Sequence, residues 1–158
     1  MEQRVWGIHT QDDALFLEKN VIAIGWEDFG DMTDIENNRE AFKEKYMAVY
    51  GYESKRAVAA SAGMLYRFRY EIQVGDYVVF PSKSNNEINI GIIEGDYQYD
   101  ANASYVQQRR VKWLKHLPRT AFSQGALYET GSFMTLFMVK NHADEFLAAL
   151  DKGFKKHP

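Results

Sequence analysis

The order of six short apolar runs constrains the fold most strongly, because two helical segments follow one another between the second run and the third. The runs have the length of β-strands and cover residues 4–9, 21–26, 77–81, 88–97, 109–115 and 135–140. Apolar spacing predicts helices over residues 12–19, 38–50, 54–67 and 143–152, and a helical turn or structured loop over 123–131. Strands and helices do not alternate as βαβ units require. The sequence therefore predicts an α+β fold: a small mixed six-stranded β-barrel, closed or nearly closed, with helices packed on one side.

The chain is predicted to form a single domain over residues 1–158. Of these residues 46% are apolar, which is enough to bury a substantial core, and neither a linker nor an internal repeat interrupts them. No cysteine is present, which excludes disulfides and thiolate metal sites. The opening segment lacks the apolar stretch of a signal peptide, and no apolar run approaches the roughly 20 residues that span a bilayer. We therefore expect a soluble, cytoplasmic protein with no membrane partner.

None of the residue patterns typical of catalysis occurs in the sequence. The histidines lie in unrelated contexts, at His9, His116, His142 and His157. No HExxH metal motif, no phosphate-binding GxxxxGK[ST] loop and no GxGxxG fingerprint is found. One Glu-x-Lys arrangement, Glu53-Ser54-Lys55, falls in a predicted turn, where Ser54 is expected to cap a helix and not to serve a nuclease. We predict no catalytic residue, no metal and no cofactor, and therefore a binding module instead of an enzyme.

Charge is distributed unevenly along the chain, although the net charge is only −3. Residues 1–53 contain 5 lysines and arginines against 12 acidic residues, whereas residues 54–158 contain 14 against 10. The segment 107–119, QQRRVKWLKHLPR, holds five of these bases and no acid. The asymmetry predicts a dipolar surface with one side that faces anions. A solvated strand face beside an acidic helix accounts for the same pattern.

Aromatic side chains are frequent near the predicted strand ends and loops. They are Trp6, Trp26, Phe29, Tyr66, Tyr70, Phe80, Tyr97, Tyr99, Tyr105, Trp113 and Tyr128. Most of them are expected in the core, where aromatic rings contribute much of the packing. Trp26 differs because it ends an apolar strand and is followed at once by Glu27 and Asp28, which places it between core and loop. There its ring can stack on a flat ligand, and a base stacked on an aromatic ring gains about 1–3 kcal/mol.

Two polar loops offer further candidate contacts. Residues 82–85, which include Ser82 and Lys83, carry donors suited to a phosphate or a base edge, although a plain hydrophilic hairpin loop explains them equally well. Ser123 and Gln124, which precede Tyr128, form another polar and aromatic loop. Both loops are therefore candidates for ligand contact.

Four segments of the chain resemble one known family. They are VWGIHT at 5–10, VIAIGWEDFGDM at 21–32, QVGDYVVFPSK at 73–83 and NIGIIEGDYQYD at 89–100. Together they resemble the EVE/YTH-type branch of the PUA superfamily, and in particular the N-terminal modules fused to Mrr-type restriction endonucleases, over about residues 5–150. The resemblance implies a small β-barrel that binds nucleic acid and flips one base into a pocket walled by aromatic rings. Related modules read methylated adenine or modified cytosine.

Carried onto this sequence, the resemblance implies a base pocket at the ends of the strands and a row of phosphate contacts on a basic strand. The pocket would include His9, Thr10, Trp26, Tyr66, Phe80, Ser82 and Lys83. The phosphate contacts would be Arg109, Arg110, Lys112, Lys115 and Arg119. The nuclease expected in such proteins is missing here, so the resemblance implies either a targeting module whose nuclease lies on a C-terminal part of a longer protein or on a partner, or a protein that acts alone.

The leading hypothesis is a module that binds DNA with a methylated or hydroxymethylated base and serves restriction or defence. Two alternatives remain open from the residues. One is an RNA-modification reader of the same fold, which meets its base in a single strand without a flipping cost. The other is a small-molecule or protein-interaction module that uses the same barrel pocket. DNA is favoured over RNA as the partner.

Overall fold

A computed structural model describes residues 4–151 of the chain. Its strands are β1 (Val5–Ile8), β2 (Val21–Ile24), β3 (Tyr77–Pro81), β4 (Glu87–Tyr99), β5 (Gln107–Pro118) and β6 (Leu136–Met138). They form one six-stranded sheet in the order β2-β5-β4-β3-β1-β6, curled into a half-barrel. The mixed α+β class and the six strands are thereby confirmed. Strands β2 and β6 are the edges of this sheet, so the predicted barrel is half-formed and not closed.

The sheet is mixed: β1 pairs parallel with β3, and every other pair of neighbouring strands in the sheet is antiparallel. The long β4–β5 pair changes register between Ile90 and Gly91 and again between Ile93 and Tyr97, which confirms the bends predicted at the glycines of this strand. A Cβ atom on Gly91 would lie 2.6 Å from Val111 Cγ1 and 2.8 Å from Trp113 Cε3. Glycine is therefore needed there, because the side chains of β5 pack directly across the backbone of β4.

Within residues 4–151, five α-helices accompany the sheet, and the sequence predicts their positions well. They are α1 (Asp13–Lys19), α2 (Arg39–Tyr50), α3 (Lys55–Tyr66), α4 (Gln124–Thr130) and α5 (Ala143–Asp151). The side chains of Asp12, Asn38, Ser54 and Ser123 each accept a hydrogen bond from a backbone N–H in the first turn of the helix that follows. A π-helical turn over Arg67–Glu71 continues α3 and was not predicted, while the predicted last residue of the final helix, Lys152, lies outside the described residues. Among the helices of residues 4–151, none combines the length and the apolar character that crossing a membrane requires.

Buried apolar side chains form two clusters, one on each face of the sheet. In β3, Val78 and Phe80 belong to the first cluster, whereas Val79 between them belongs to the second, as the alternation of a strand requires. Helices α1 to α3 contribute to the first cluster, and α4 and α5 contribute to the second. The predicted packing of helices on one side is therefore wrong, because both faces of the sheet are apolar and each needs a cover.

Candidate functional site

The ends of several strands meet at one side of the sheet and enclose a cavity of about 570 Å³. His9 and Thr10 follow β1, Trp26 follows β2, and Lys83 follows β3. These are four of the seven residues predicted for the base pocket. The remaining lining residues are Gln11, Ala23, Gly25, Tyr105, Ser132, Phe133 and Thr135. A concave site with several aromatic walls and a few polar groups has the make-up of a binding site for a small, flat ligand.

Trp26 enters the cavity wall from a backbone conformation that is unusual for a bulky residue. Its φ and ψ angles are 60° and 56°, in the left-handed region that side chains other than glycine and asparagine rarely adopt. The chain turns there into a short 3-10 helix over Glu27–Phe29, in which the N–H of Phe29 donates to the carbonyl of Trp26 and to the hydroxyl of Tyr50, each at 3.0 Å. Strain of this kind concentrates at functional positions, so the conformation favours a ligand-binding role for the ring.

His9 lines the cavity and, in the described part of the chain, one of its ring nitrogens is buried without a hydrogen-bond partner. Its ring stacks on Phe137, with centroids 5.6 Å apart, and Phe137 in turn lies across Gly7, where a Cβ atom would be only 2.3 Å from the phenyl ring. Within residues 4–151 the Nε2 atom of His9 is buried and has no hydrogen-bond partner. Burial lowers the pKa of His9 below its ordinary value, and the positive charge of Lys83 acts in the same direction. The ring is therefore a neutral imidazole near pH 7.

The buried His9 ring predicts a dependence of stability on pH. Below the ordinary histidine pKa of 6.5, the unfolded chain takes up a proton that the folded chain, with its lowered pKa, does not. The free energy of unfolding should therefore decrease as the pH falls from 6.5 towards the lowered pKa of His9. Urea unfolding over this range checks the slope, which the His9→Gln variant should reduce. An equal slope in that variant would assign the effect to another group.

Lys83 is held at the mouth of the cavity by the first turn of α1. The Asp13 carboxylate accepts hydrogen bonds from the backbone N–H of Lys83, at 2.8 Å, and from the N–H that follows it, at 2.7 Å. The neighbouring Asp12 accepts the hydroxyl of Ser104 at 2.6 Å, and this bond lowers the pKa of Asp12. The N-terminal end of α1 thus fixes both the loop between β3 and β4 and the loop between β4 and β5 that carries Tyr105. In the described part of the chain Lys83 forms no ion pair, so its charge is available to a ligand.

Three residues predicted for the pocket lie elsewhere. Phe80 is fully buried in the first core cluster, because its side chain points to the face of β3 that α1 covers. Ser82 is buried inside the β3–β4 hairpin, where its hydroxyl bonds Asn85 and accepts from Asn89. Tyr66 lies between α2 and α3, and its hydroxyl donates to Asn37. These three side chains stabilise the fold and do not line the cavity.

Arg109 does not face solvent, which corrects its predicted role as a phosphate contact. Only 2% of the residue is exposed. Its Nε donates to the carbonyl of Gly95 at 2.9 Å, and its Nη1 donates to the carbonyls of Phe68 and Ile72 at 3.2 and 2.8 Å. Burial lowers the pKa of Arg109 to about 10. The guanidinium therefore joins β5 to the β4 bend and to the π-helical turn as an internal cross-link.

The other predicted phosphate contacts are exposed to differing degrees and do not form one row. Arg110 and Lys112 project from the same side of β5 and line a groove of about 380 Å³ that also contains Glu94. Lys115 pairs with Ile90 beyond the register change of the β4–β5 pair, so it projects from the same face as Lys112, and it is half-buried. Arg119 follows β5 and lines a different groove. Arg110, Lys112 and Arg119 remain available as contacts to an anion.

The groove that contains Arg119 adjoins the cavity. It has a volume of about 880 Å³ and includes Gln124 and Tyr128, two of the three loop candidates. Ser132 and Phe133 line both spaces and therefore form the ridge between them. The third candidate, Ser123, is occupied in the fold: it caps α4, and both its N–H and its hydroxyl donate to the carboxylate of Glu145.

A carboxylate in this groove is held by hydrogen bonds within the fold. Glu129 accepts the backbone N–H groups of Lys140, Asn141 and His142, and it pairs with the His142 ring at 2.9 Å. Burial alone would raise the pKa of Glu129, but these hydrogen bonds hold the pKa below its usual value. The bound carboxylate therefore stays ionised and organises the turn before α5.

Comparison with known proteins gives one match. Residues 9–140 match the family described as a domain of unknown function (DUF8426). The chain belongs to this family. No curated protein and no solved structure matches the chain significantly. The DUF8426 segment contains every residue that lines the cavity, so the cavity is built entirely from the part of the chain that the family defines.

Within the DUF8426 segment, several lining residues were not singled out from the sequence. Tyr105 was noted only as one aromatic among many, and Phe133 was not considered at all. Both lie in loops without hydrophobic periodicity, so the available signal was a single aromatic residue among small or polar neighbours. Across residues 4–151 no group of three or more histidine or acidic side chains is placed to hold a metal ion.

Proposed function

We propose that this chain is a module that binds DNA carrying a methylated or hydroxymethylated base, extruded from the helix into the cavity, in a restriction or defence context. The observation that carries the proposal is the cavity itself, which brings together the Trp26 ring on its strained backbone, the polar residues His9 and Gln11, and the Lys83 side chain. An aromatic wall, a hydrogen-bonding atom and a cation are the groups that an extruded base and its phosphate require.

Energetic considerations support an aromatic cavity for this task. Extruding a base costs a few kcal/mol of lost stacking and pairing, and the cavity has to return that energy. Stacking on an aromatic ring returns about 1–3 kcal/mol, and two rings, those of Trp26 and Tyr105, line the space. A methyl group that fills an apolar corner adds about 1–3 kcal/mol of discrimination against the plain base.

The resemblance to the EVE/YTH-type branch of the PUA superfamily supports the same proposal. Four residues that the resemblance assigns to the base pocket, His9, Thr10, Trp26 and Lys83, line one cavity. In this proposal the module works in the cytoplasm, has no catalytic site of its own and directs a fused or associated nuclease. Lys83, Arg110, Lys112 and Arg119 are the proposed phosphate contacts, and Arg109 no longer belongs to that set.

A panel of oligonucleotides tests the proposal directly. Fluorescence anisotropy at one fixed salt concentration would compare duplexes that contain N6-methyladenine, 5-methylcytosine or 5-hydroxymethylcytosine with the unmodified duplex of the same sequence. One modified duplex should bind about ten-fold more tightly or better, as one methyl group in an apolar pocket allows. The affinity should also fall as salt is raised, because counterions are released from the phosphates.

Other outcomes of the panel would contradict the proposal. Tightest binding to a single-stranded RNA that carries N6-methyladenosine would assign the module to RNA. The absence of salt-dependent binding to every oligonucleotide would favour a small molecule or a protein as the ligand. Equal affinity for modified and plain duplexes would retain DNA binding but remove the role of the cavity.

A further inference from the structure

We infer that Phe133 is a wedge that enters a DNA duplex and fills the gap left by the extruded base. The inference rests on the proposed function and adds to it: it names double-stranded DNA as the form of the ligand and assigns Phe133 to the strand separation. Phe133 lies on the ridge between the cavity and the adjoining groove, and lines both. It therefore stands directly beside the space that would receive the base.

The exposure of Phe133 is the first argument. The residue is 99% exposed, so its ring packs against almost nothing in the protein. Tyr128, 88% exposed, lines the groove beside it, so two exposed aromatic rings mark this side of the cavity as a contact surface. A ring that serves as a stacking platform for a single strand needs one free face, and its other face can rest on the protein. A ring inserted between two bases needs both faces free, and Phe133 meets that condition.

The second argument is that the exposed ring stands on a well-anchored loop. The N–H of Gly131 donates to the carbonyls of Leu127 and Tyr128 at 3.0 and 3.1 Å, which fixes the start of the loop at the end of α4. The carbonyl of Thr135 accepts the N–H of His9 at 2.9 Å, which fixes its end to the cavity wall. A wedge has to push bases apart without folding back, and two fixed ends supply that resistance.

The groove on the far side of Phe133 suits the rest of the duplex. It contains Arg119 and Gln124, a cation and an amide that can contact phosphates and base edges. Its acidic residue, Glu129, is already bonded to three backbone N–H groups and to His142. Apolar side chains that enter a base step are a known means by which proteins unstack DNA, and the inserted ring replaces part of the lost stacking.

The Phe133→Ala variant tests the inference by comparing two forms of one ligand. The probes are the modified duplex that the parent binds best and its modified strand alone, both measured by anisotropy at the same salt. The variant should lose duplex affinity on the order of ten-fold and keep its affinity for the single strand within about two-fold, because only the duplex has a gap to fill. Phe133→Trp should retain duplex binding. Tyr52→Ala removes another exposed aromatic ring, 67% exposed and outside the cavity and the groove, and should change neither affinity.

The other results would overturn the inference in distinguishable ways. Equal losses on duplex and single strand would make Phe133 a stacking platform, and no loss on either would leave it without a contact to DNA. In both cases the proposed function stands if the unsubstituted protein binds the modified duplex more tightly than the plain one. A parent that binds no oligonucleotide would remove the proposed function and the wedge together. If the unsubstituted protein self-associates and the Phe133→Ala variant does not, the ring belongs to a contact between two copies of the chain.

Discussion

The Trp26→Ala variant is expected to lose the preference for a modified duplex over a plain one while the chain stays folded. The ring of Trp26 supplies an aromatic face of the cavity, and its removal takes away about 1–3 kcal/mol of stacking, which corresponds to a loss of about 5- to 150-fold in affinity for the modified duplex. The ratio of the two affinities, measured by anisotropy at fixed salt, reports this loss. Binding to the plain duplex depends on phosphate contacts and should change little.

Two further substitutions at Trp26 separate the ring from the backbone. Trp26→Phe keeps an aromatic face and should retain part of the preference. Trp26→Gly removes the ring as alanine does but relieves the positive φ of 60°, so it should unfold at a higher urea concentration than Trp26→Ala. A Trp26→Ala variant that still distinguished modified from plain duplex would place the base outside this cavity.

The Arg109→Ala variant is expected to show the largest loss of stability, about 3–5 kcal/mol in the free energy of unfolding. The guanidinium donates to the carbonyls of Gly95, Phe68 and Ile72, and its removal leaves these acceptors without their donor in a buried place. It also empties the volume that the side chain fills. Urea unfolding followed by circular dichroism measures the change.

Arg110→Ala is the matched control, because the neighbouring side chain is exposed on the other side of β5. Its stability should stay within about 0.5 kcal/mol of the parent. Its affinity for every duplex should fall, and the salt dependence of binding should become shallower by about one ion. If Arg109→Ala instead folded as stably as the parent and showed this same loss of binding, Arg109 would be a phosphate contact after all.

Local signals in the sequence predict most of the secondary structure. Asn38 and Ser54 cap the helices that begin after them, because their short polar side chains reach a free backbone N–H without help from the rest of the fold. Pro81 likewise ends β3 as predicted, since it cannot donate to the sheet. The π-helical turn over Arg67–Glu71 was missed, because its stability comes from a distant residue: Arg109 bonds the carbonyls of Phe68 and Ile72 across about forty positions of sequence.

The sequence predicts the residues of the candidate site that follow directly after a strand. It does not predict those whose place depends on the direction in which a side chain points. His9 and Lys83 follow the parallel strands β1 and β3, whose ends lie at the same edge of the sheet. Trp26 follows β2, which runs in the opposite direction, and it lines the same cavity because the sheet is curled. Phe80 was misplaced because successive residues of a strand point to opposite faces, and a strand buried on both faces gives no pattern from which to choose. Phe133 was missed because its position depends on the packing of α4 against the sheet.

The acidic residues at the N-terminal end of α1 also affect the affinity of the cavity for a ligand. Because the carboxylates of Asp12 and Asp13 already bond Ser104 and the N–H of Lys83, two walls of the cavity are preorganised in the free protein. Little conformational entropy then remains to be lost when a base arrives, so a larger share of the contact energy appears as affinity. Recognition should accordingly follow rigid-body docking on the protein side, with the deformation confined to the DNA.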